Sequence, residues 1–235
     1  MDLDAVMAAL EAAGTPAVRE VQAAQGVRGF GVDGMALHAL ADQLGTQPRL
    51  AGELWGTGQH DARMLAALVV DPGSVEVERL LTWAEECDNS LEANAISVVA
   101  ARSPHARQLS DQLRGSELEL AALVGWNLVS VLARSGRVED EWFIPLLDEL
   151  EHHLHQRPSP VRHGMNIALC SIGLSRGGEL REQALHVAAA LGEVVVDEGT
   201  TPDATATIQR VVVRDAMDES LRKRVERRNR KKRRR

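Results

Sequence analysis

Apolar residues recur at helical spacing along almost the whole chain. In one stretch Met35, Leu37, Leu40 and Leu44 repeat every three or four positions, and Gly45 follows where a helix should end. The same pattern, interrupted each time by glycine, proline or serine, predicts a chain of short helices joined by turns. The predicted helices span residues 35–44, 50–55, 64–69, 75–83, 91–101, 105–113, 116–133, 140–155, 161–174, 180–195 and 204–213.

The details of these helices predict their ends and their grouping. Ser74 is the expected N-cap of the helix at 75–83, and Ser116 with Glu119 is the expected capping box of the helix at 116–133. The valine triplets 194–196 and 211–213 would suit strands, but each continues a helical pattern, so we expect buried helix ends. Consecutive helix pairs begin about 26–43 residues apart, the length of a two-helix solenoid repeat. The sequence therefore predicts an all-α protein, an α-solenoid or superhelix of HEAT-like (ARM-type) repeats, although an irregular helical bundle has the same periodicity.

Composition agrees with this class. Aromatic residues make up only 3% of the chain and there is no tyrosine, which disfavours an all-β sandwich. Cys87 and Cys170 lack a metal-type spacing and fit buried thiols in a reducing compartment. No run approaches the roughly 18 apolar residues that span a bilayer. We expect a cytoplasmic protein that makes no membrane contact.

Charge divides the chain into two parts. Residues 222–235 carry eleven Lys or Arg against one acid, a formal charge of +10, whereas residues 1–221 carry 16 Arg against 33 acids, a formal charge of −17. We expect a HEAT-like repeat domain over 1–221 and a disordered polybasic tail over 222–235. The tail should bind DNA phosphates without reading bases, because no aromatic residue interrupts it. Its candidate DNA-binding residues are Arg222, Lys223, Arg224, Arg227, Arg228, Arg230, Lys231, Lys232, Arg233, Arg234 and Arg235.

Three stretches, in order along the chain, carry a family resemblance. The first contains Phe30-Gly31-Val32, Leu54-Trp55 and His60-Asp61-Ala62-Arg63, the second covers residues 161–173, and the third covers residues 191–204. Together they resemble the DNA alkylation repair family. The resemblance implies a superhelical stack of HEAT-like repeats that binds duplex DNA. In the glycosylase members it implies excision of positively charged N3- and N7-alkylated purines.

The resemblance also implies where catalytic residues would lie. Active members have a Trp followed four residues later by an Asp, and these positions match Ser90 and Asn94. A carboxylate there stabilises the oxocarbenium-like charge that builds on the sugar, and neutral Asn cannot supply that charge. Ser lacks the π-face that an aromatic ring presents to a cationic base. Nearby Glu92 should point about half a turn away from Asn94 on an ideal helix, so the catalytic residues stay unknown. The resemblance also implies a catalytic arginine near Ala121-Ala122 and a further aromatic near Asn166-Ile167.

Three functions remain open at this point. We expect a DNA-binding relative, non-catalytic or weakly catalytic, that binds double-stranded DNA, damaged or unusual in structure, as a nucleoid-associated monomer. The alternatives are a helical-repeat scaffold for a protein partner and an active N3/N7-alkylpurine DNA glycosylase. Trp126, which follows Gly125, and Arg162 are further candidate DNA contacts. The histidines at 152–155 lie on one helix, which cannot supply a zinc site, so we expect no metal and no cofactor.

Overall fold

The computed structural model describes residues 1–197 and 199–217, so the predicted polybasic tail 222–235 lies outside the described residues. Over the described residues the chain is helical and contains no strand, which confirms the all-α class. The helices are α1 (Leu3–Ala13), α2 (Pro16–Ala24), α3 (Gly34–Leu44), α4 (Pro48–Gly56), α5 (His60–Val69), α6 (Val77–Glu85), α7 (Ser90–Arg102), α8 (Ala106–Leu113), α9 (Glu119–Ser135), α10 (Ile144–His153), α11 (Ser159–Ser175), α12 (Gly178–Leu191) and α13 (204–217). Two short 3-10 turns, Asp140–Trp142 and Leu154–Gln156, flank α10.

The helices divide into two compact units, one formed by residues 1–132 and one that begins at Ala133. In the first unit α5 packs against α3, α4 and α7, and α7 also packs against α6 and α8. Since α6 also contacts α8, α5 and α7 form one layer and α6 and α8 the other. In the second unit α10, α11 and α12 pack against one another. Contacts between sequence neighbours and between alternate helices are the packing pattern of two-helix repeats.

The core is aliphatic and is made by the apolar faces that the sequence pattern predicts. Leu54, Leu65, Leu80, Ile96 and Leu109 are completely buried, each on a different helix from α4 to α8. Fully burying such a side chain contributes roughly 1.5–3 kcal/mol each relative to leaving it in water. Packing between helices therefore holds helices of 8–13 residues that would be marginal in isolation.

Three local predictions are wrong. Ser74 lies in the turn before α6 and hydrogen-bonds Asp71, so Glu76 is the N-cap. The helix predicted at 116–133 begins at Glu119, because the Ser116 hydroxyl accepts from the Leu118 N–H and forms a turn. Residues 194–196 lie outside α12, which ends at Leu191 and is capped by Gly192 with a positive φ of 65°. The valine triplet 211–213 is helical as predicted, but only Val211 is buried, while Val212 and Val213 are exposed. The sequence pattern missed α1 and α2.

Gly125 allows α9 to approach the end of α8 closely. The Ser110 hydroxyl of α8 donates to the Gly125 carbonyl at 3.0 Å. A Cβ at Gly125 would overlap the backbone of Leu113 and Arg114. Gly125→Ala should therefore lower the free energy of unfolding by about 2 kcal/mol, although alanine is the better helix former.

Urea unfolding of the purified protein measures this effect. The matched control is Gly34→Ala at the start of α3, where an added Cβ meets no atom within 4 Å. This control should leave stability unchanged or slightly raised. Equal stability of the two variants would mean that α8 and α9 can separate without cost.

Candidate functional site

Ser90 and Asn94, which the sequence resemblance places at the family's catalytic positions, lie on the exposed side of α7. Asn89 caps this helix, because its side-chain oxygen accepts from the Glu92 N–H at 3.0 Å. Ser90 and Asn94 follow on the helix and are both exposed. Leu91 and Val98 flank Asn94 on the same face and are 43% and 58% exposed. From Ser90 to Val98 this face of α7 is thus a neutral, partly apolar surface.

Asn94 is held by a neighbouring amide on α9. The Asn127 side-chain NH2 donates to the Asn94 side-chain oxygen at 2.9 Å and lies 3.3 Å from the Ser97 hydroxyl. This contact joins α7 and α9 by a neutral amide pair. The pair carries no charge at any accessible pH, so it can donate and accept hydrogen bonds but cannot balance a cation.

Glu92 points away from Asn94 into the protein and is 1% exposed. Its carboxylate accepts from His60 Nδ1 at 2.9 Å, from Arg63 Nη1 at 2.9 Å and from the Asp88 N–H at 3.1 Å. The Asn89 side chain donates a fourth bond at 2.8 Å. Burial opposes ionisation, but the bonds from His60, the Asp88 N–H and Arg63 outweigh it and hold the pKa of Glu92 below its ordinary value. Glu92 is therefore an ionised structural carboxylate whose oxygens are already occupied.

Arg63 completes this buried cluster. Its Nη1 donates to Asp88 at 2.7 Å as well as to Glu92, and its guanidinium lies 5.1 Å from the ring centroid of Trp55. Trp55 in turn stacks on Trp83 with centroids 4.8 Å apart and donates from its indole N–H to Glu86 at 2.8 Å. Arg63 is 8% exposed, so this arginine is a packing residue and not a phosphate contact. We call His60, Arg63, Asp88, Asn89 and Glu92 the α5–α7 cluster.

Asp61 of α5 hydrogen-bonds to α2 and to the loop that follows it. Its buried carboxylate accepts from the Gln22 side-chain NH2 at 2.9 Å and from the Phe30 and Gly31 N–H groups at 2.5 and 3.2 Å. Gly31 has a φ of 83°, and a Cβ there would overlap the Thr15 backbone. The motifs that carry the family resemblance, Phe30-Gly31-Val32 and His60-Asp61-Ala62-Arg63, thus have structural roles. The sequence signal for this was two charged residues, Asp61 and Arg63, inside an apolar helix.

Two further positions singled out by the resemblance present no catalytic group. Ala121 and Ala122, near which the family's arginine would fall, are completely buried on α9. Asn166, near the family's further aromatic, is also completely buried, and its side-chain NH2 donates to Thr201 and to the Pro202 carbonyl. Neither position offers a cation or a ring to a bound base.

The additional DNA contacts expected from the sequence have different outcomes. Trp126 is 1% exposed, so its ring lies in the core. Contrary to the sequence expectation, it presents no face to a ligand. Arg162 keeps 22% of its side chain exposed, donates to the Arg157 carbonyl and pairs with Asp197 at 3.5 Å. Its role as a DNA contact stays a prediction.

The described residues offer no obvious alternative chemistry. They contain no group of three His, Cys, Asp or Glu side chains that could hold a metal ion. Burial raises the pKa of Cys87 to about 12 and that of Cys170 to about 11, so both remain thiols at neutral pH. Within 1–197 and 199–217, no helix is long and apolar enough to cross a bilayer.

Comparisons with known proteins agree with this fold. The profile of the family described as "DNA alkylation repair enzyme" matches residues 6–218. A solved structure, described as a new family of proteins related to the HEAT-like repeat DNA glycosylases with affinity for branched DNA structures, superposes with a TM-score of 0.82. The two chains are 24% identical, and the match covers 92% of this chain and 95% of the other. No curated protein matches the sequence significantly. The predicted HEAT-like repeat fold is confirmed, and the chain belongs to the DNA alkylation repair enzyme family.

Proposed function

We propose that the protein binds duplex or branched DNA and does not excise alkylated bases. One observation carries this proposal: the position aligned with the family's catalytic carboxylate is Asn94, whose neutral amide pairs with Asn127 on an exposed face. Cleavage of the N-glycosidic bond builds positive charge on the sugar. Without a carboxylate at that point, the surface can hold DNA but cannot stabilise the charge.

The nearby carboxylates do not replace the missing one. The two α5 partners of Glu92, His60 and Arg63, are buried, so its carboxylate faces the interior and not Asn94. Asp88 precedes α7 and pairs with Arg63 at 2.7 Å. Either group would have to break these bonds and change position before it could face a sugar. The cost of leaving Arg63 buried without its partners opposes that movement.

Affinity for DNA would come mainly from outside the helical body. At least eight body arginines form ion pairs with carboxylates, and these are Arg49, Arg63, Arg107, Arg114, Arg162, Arg176, Arg181 and Arg214. An arginine that is already neutralised adds little net attraction for phosphate. Arg102 is different, because it is exposed on the same face of α7 as Asn94 and Val98 and has no ion pair within the described chain. We assign Arg102 and the segment 222–235 as the phosphate contacts, with DNA held against the α7 face.

Two observations support this choice of ligand. The structural relative described above has affinity for branched DNA. The exposed apolar side chains Leu91 and Val98 beside Asn94 would suit unstacked bases, which a branch point supplies and a regular duplex does not. We further propose that the protein acts as a monomer on cytoplasmic, nucleoid DNA.

Release of 7-methylguanine from methylated duplex DNA tests the absence of excision. The wild-type protein should release the base no faster than spontaneous depurination. Ser90→Trp/Asn94→Asp, which restores both an aromatic ring and a carboxylate, should raise the rate at least about tenfold, because preorganised charge stabilisation contributes on the order of a hundredfold in comparable sites.

The matched control is Ser90→Trp with Asn94 retained, which adds the ring without the charge. It should stay at the spontaneous rate. Excision by the wild-type protein at the rate of the double variant would overturn the assignment of Asn94 as an inactive position.

A second candidate function is favoured by the acidic body. Residues 1–221 carry a formal charge of −17, which would suit a basic protein partner better than DNA. The two candidates differ in one result, the DNA affinity of the body without residues 222–235.

A further inference from the structure

A groove in the second unit combines acidic and apolar side chains. It lies between the 3-10 turn Asp140–Trp142 with the start of α10 on one side and the first turn of α12 on the other, and encloses about 460 Å³. The side chains that line it are Asp140, Glu141, Ile144, Glu179, Leu180 and Gln183. No basic residue is among its described lining residues.

Two carboxylates in this groove have no cationic partner within the described chain. Glu141 and Glu179 are exposed and form no ion pair with any residue of the described chain, whereas Asp140 pairs with Arg176 at 3.0 Å. Ile144 lies beside these carboxylates and is 42% exposed. Such a surface fits a ligand with cationic heads on long apolar stems, which is the chemistry of arginine and lysine.

The described chain ends against α12, which forms one wall of this groove. Arg181, one turn into α12, donates to the Asp215 carboxylate of α13 at 2.7 Å. Glu179, which lines the groove, lies two residues before Arg181 and so about half a turn away on α12. An extended chain covers about 20 Å in six residues, more than the roughly 10–12 Å width of a helix, so Lys223 can pass from Met217 around α12 to the groove. The eleven cations of residues 222–235 are therefore tethered within reach of the two free carboxylates.

We propose that the basic segment 222–235 docks in this groove of its own chain. Its cationic groups pair with Glu141 and Glu179, and its side-chain stems cover Ile144. DNA itself does not fit there, because the carboxylates repel phosphate. The docked segment is withheld from DNA until phosphates displace it, so the groove and DNA compete for the same cations. Docking goes beyond the proposed function and holds whether or not the body binds DNA.

The composition of the chain offers a direct test. All three lysines, Lys223, Lys231 and Lys232, lie in the basic segment. A carbodiimide couples lysine amines to carboxylates in contact, so every lysine crosslink in the full-length protein reports where this segment lies. Mass spectrometry should find crosslinks concentrated on Asp140, Glu141 and Glu179 at low salt, and duplex DNA should remove them. An equal mixture of ¹⁴N- and ¹⁵N-labelled protein should give crosslinks within single molecules.

Two outcomes overturn the proposal: crosslinks spread evenly over the acidic residues of the body, or crosslinks that join ¹⁴N to ¹⁵N chains. The second would identify the groove as a site for a basic segment of another molecule. Both results are independent of DNA binding, so failure of the proposed function would not be mistaken for failure of docking.

Substitution gives a second readout in the full-length protein. Glu141→Gln/Glu179→Gln should raise the affinity for duplex DNA about three- to tenfold, because two exposed ion pairs no longer compete for the segment. Glu11→Gln/Glu20→Gln changes the net charge equally at exposed positions of α1 and α2 and serves as the matched control. An equal gain in both variants would show a general charge effect and would count against docking.

Discussion

Replacing Glu92 with glutamine should lower the free energy of unfolding by about 3 kcal/mol, because it breaks a buried ion pair and leaves a charge without compensation. Glutamine keeps one acceptor oxygen, which can face Arg63 or His60 but not both, so one of the two buried donors would face the glutamine NH2 group. If that donor is Arg63, which is 8% exposed, its remaining carboxylate partner is Asp88, whose side chain is 73% exposed. The Arg63 Nε already lacks a partner within the described chain. If that donor is His60, which is 5% exposed, little water can replace the lost bond. Urea unfolding followed by circular dichroism measures the loss.

Glu85→Gln is the matched control for this substitution. Glu85 is the exposed last residue of α6. Removal of its charge should change the free energy of unfolding by less than about 0.5 kcal/mol. A variant at Glu92 as stable as this control would mean that the α5–α7 cluster is not a structural element. In that case Glu92 would be a candidate to contact a ligand.

The same cluster predicts a dependence on pH. The folded pKa of Glu92 lies below its unfolded value, so its contribution to stability is complete above the unfolded pKa of about 4.3 and disappears as the pH falls through the folded pKa. The difference in unfolding free energy between wild type and Glu92→Gln should therefore be full at pH 7 and shrink in stronger acid. A constant difference from pH 7 to pH 3 would contradict the network of bonds described for Glu92.

Removing residues 222–235 should reduce the affinity for duplex DNA at 50 mM salt by on the order of a thousandfold. The segment carries eleven cations, and if about half of them meet phosphates, the log–log slope of affinity against salt should fall by about 5. Fluorescence anisotropy with labelled DNA across a salt series, for the full chain and for a chain that ends at Leu221, gives both numbers. A full-length chain with these eleven residues changed to serine controls for length.

Arg102→Ala calibrates this experiment. It removes one exposed cation from the α7 face and should reduce the salt slope by about 1. If the shortened chain keeps the slope of the full chain, the helical body is itself the DNA site. If the shortened chain binds no DNA and Arg102→Ala has no effect, the −17 body would instead be the surface for a basic protein partner.

Much of the fold follows from the sequence alone. Helical periodicity ended by Gly45, by the Asp71-Pro72-Gly73 turn and by Ser135-Gly136 predicts α3 to α9 to within a few residues, because these breaks are local conformational preferences. The ordered motifs predict the family, and Asn94 at the position that the resemblance aligns with the family's catalytic Asp predicts the loss of that carboxylate. These features depend on single residues or on their spacing, which the sequence states directly.

Only the tertiary structure shows which helix faces are buried and which charged side chains are paired. Helical periodicity gives each helix an apolar stripe but does not say how much of the rest a neighbour will cover. Gly125 is compatible with either an exposed or a buried ring at Trp126, and only the packing of the folded chain shows that the ring is buried. Likewise Glu92 and Asn94 differ by two positions, yet the contact with α5 turns one into a buried partner of Arg63 and leaves the other exposed. Whether a side chain is buried or paired depends on its neighbours in space. The contacts of Glu92 with Arg63 and of Asn94 with Asn127 join residues about 30 positions apart, so the sequence alone does not determine the charge of the α7 face.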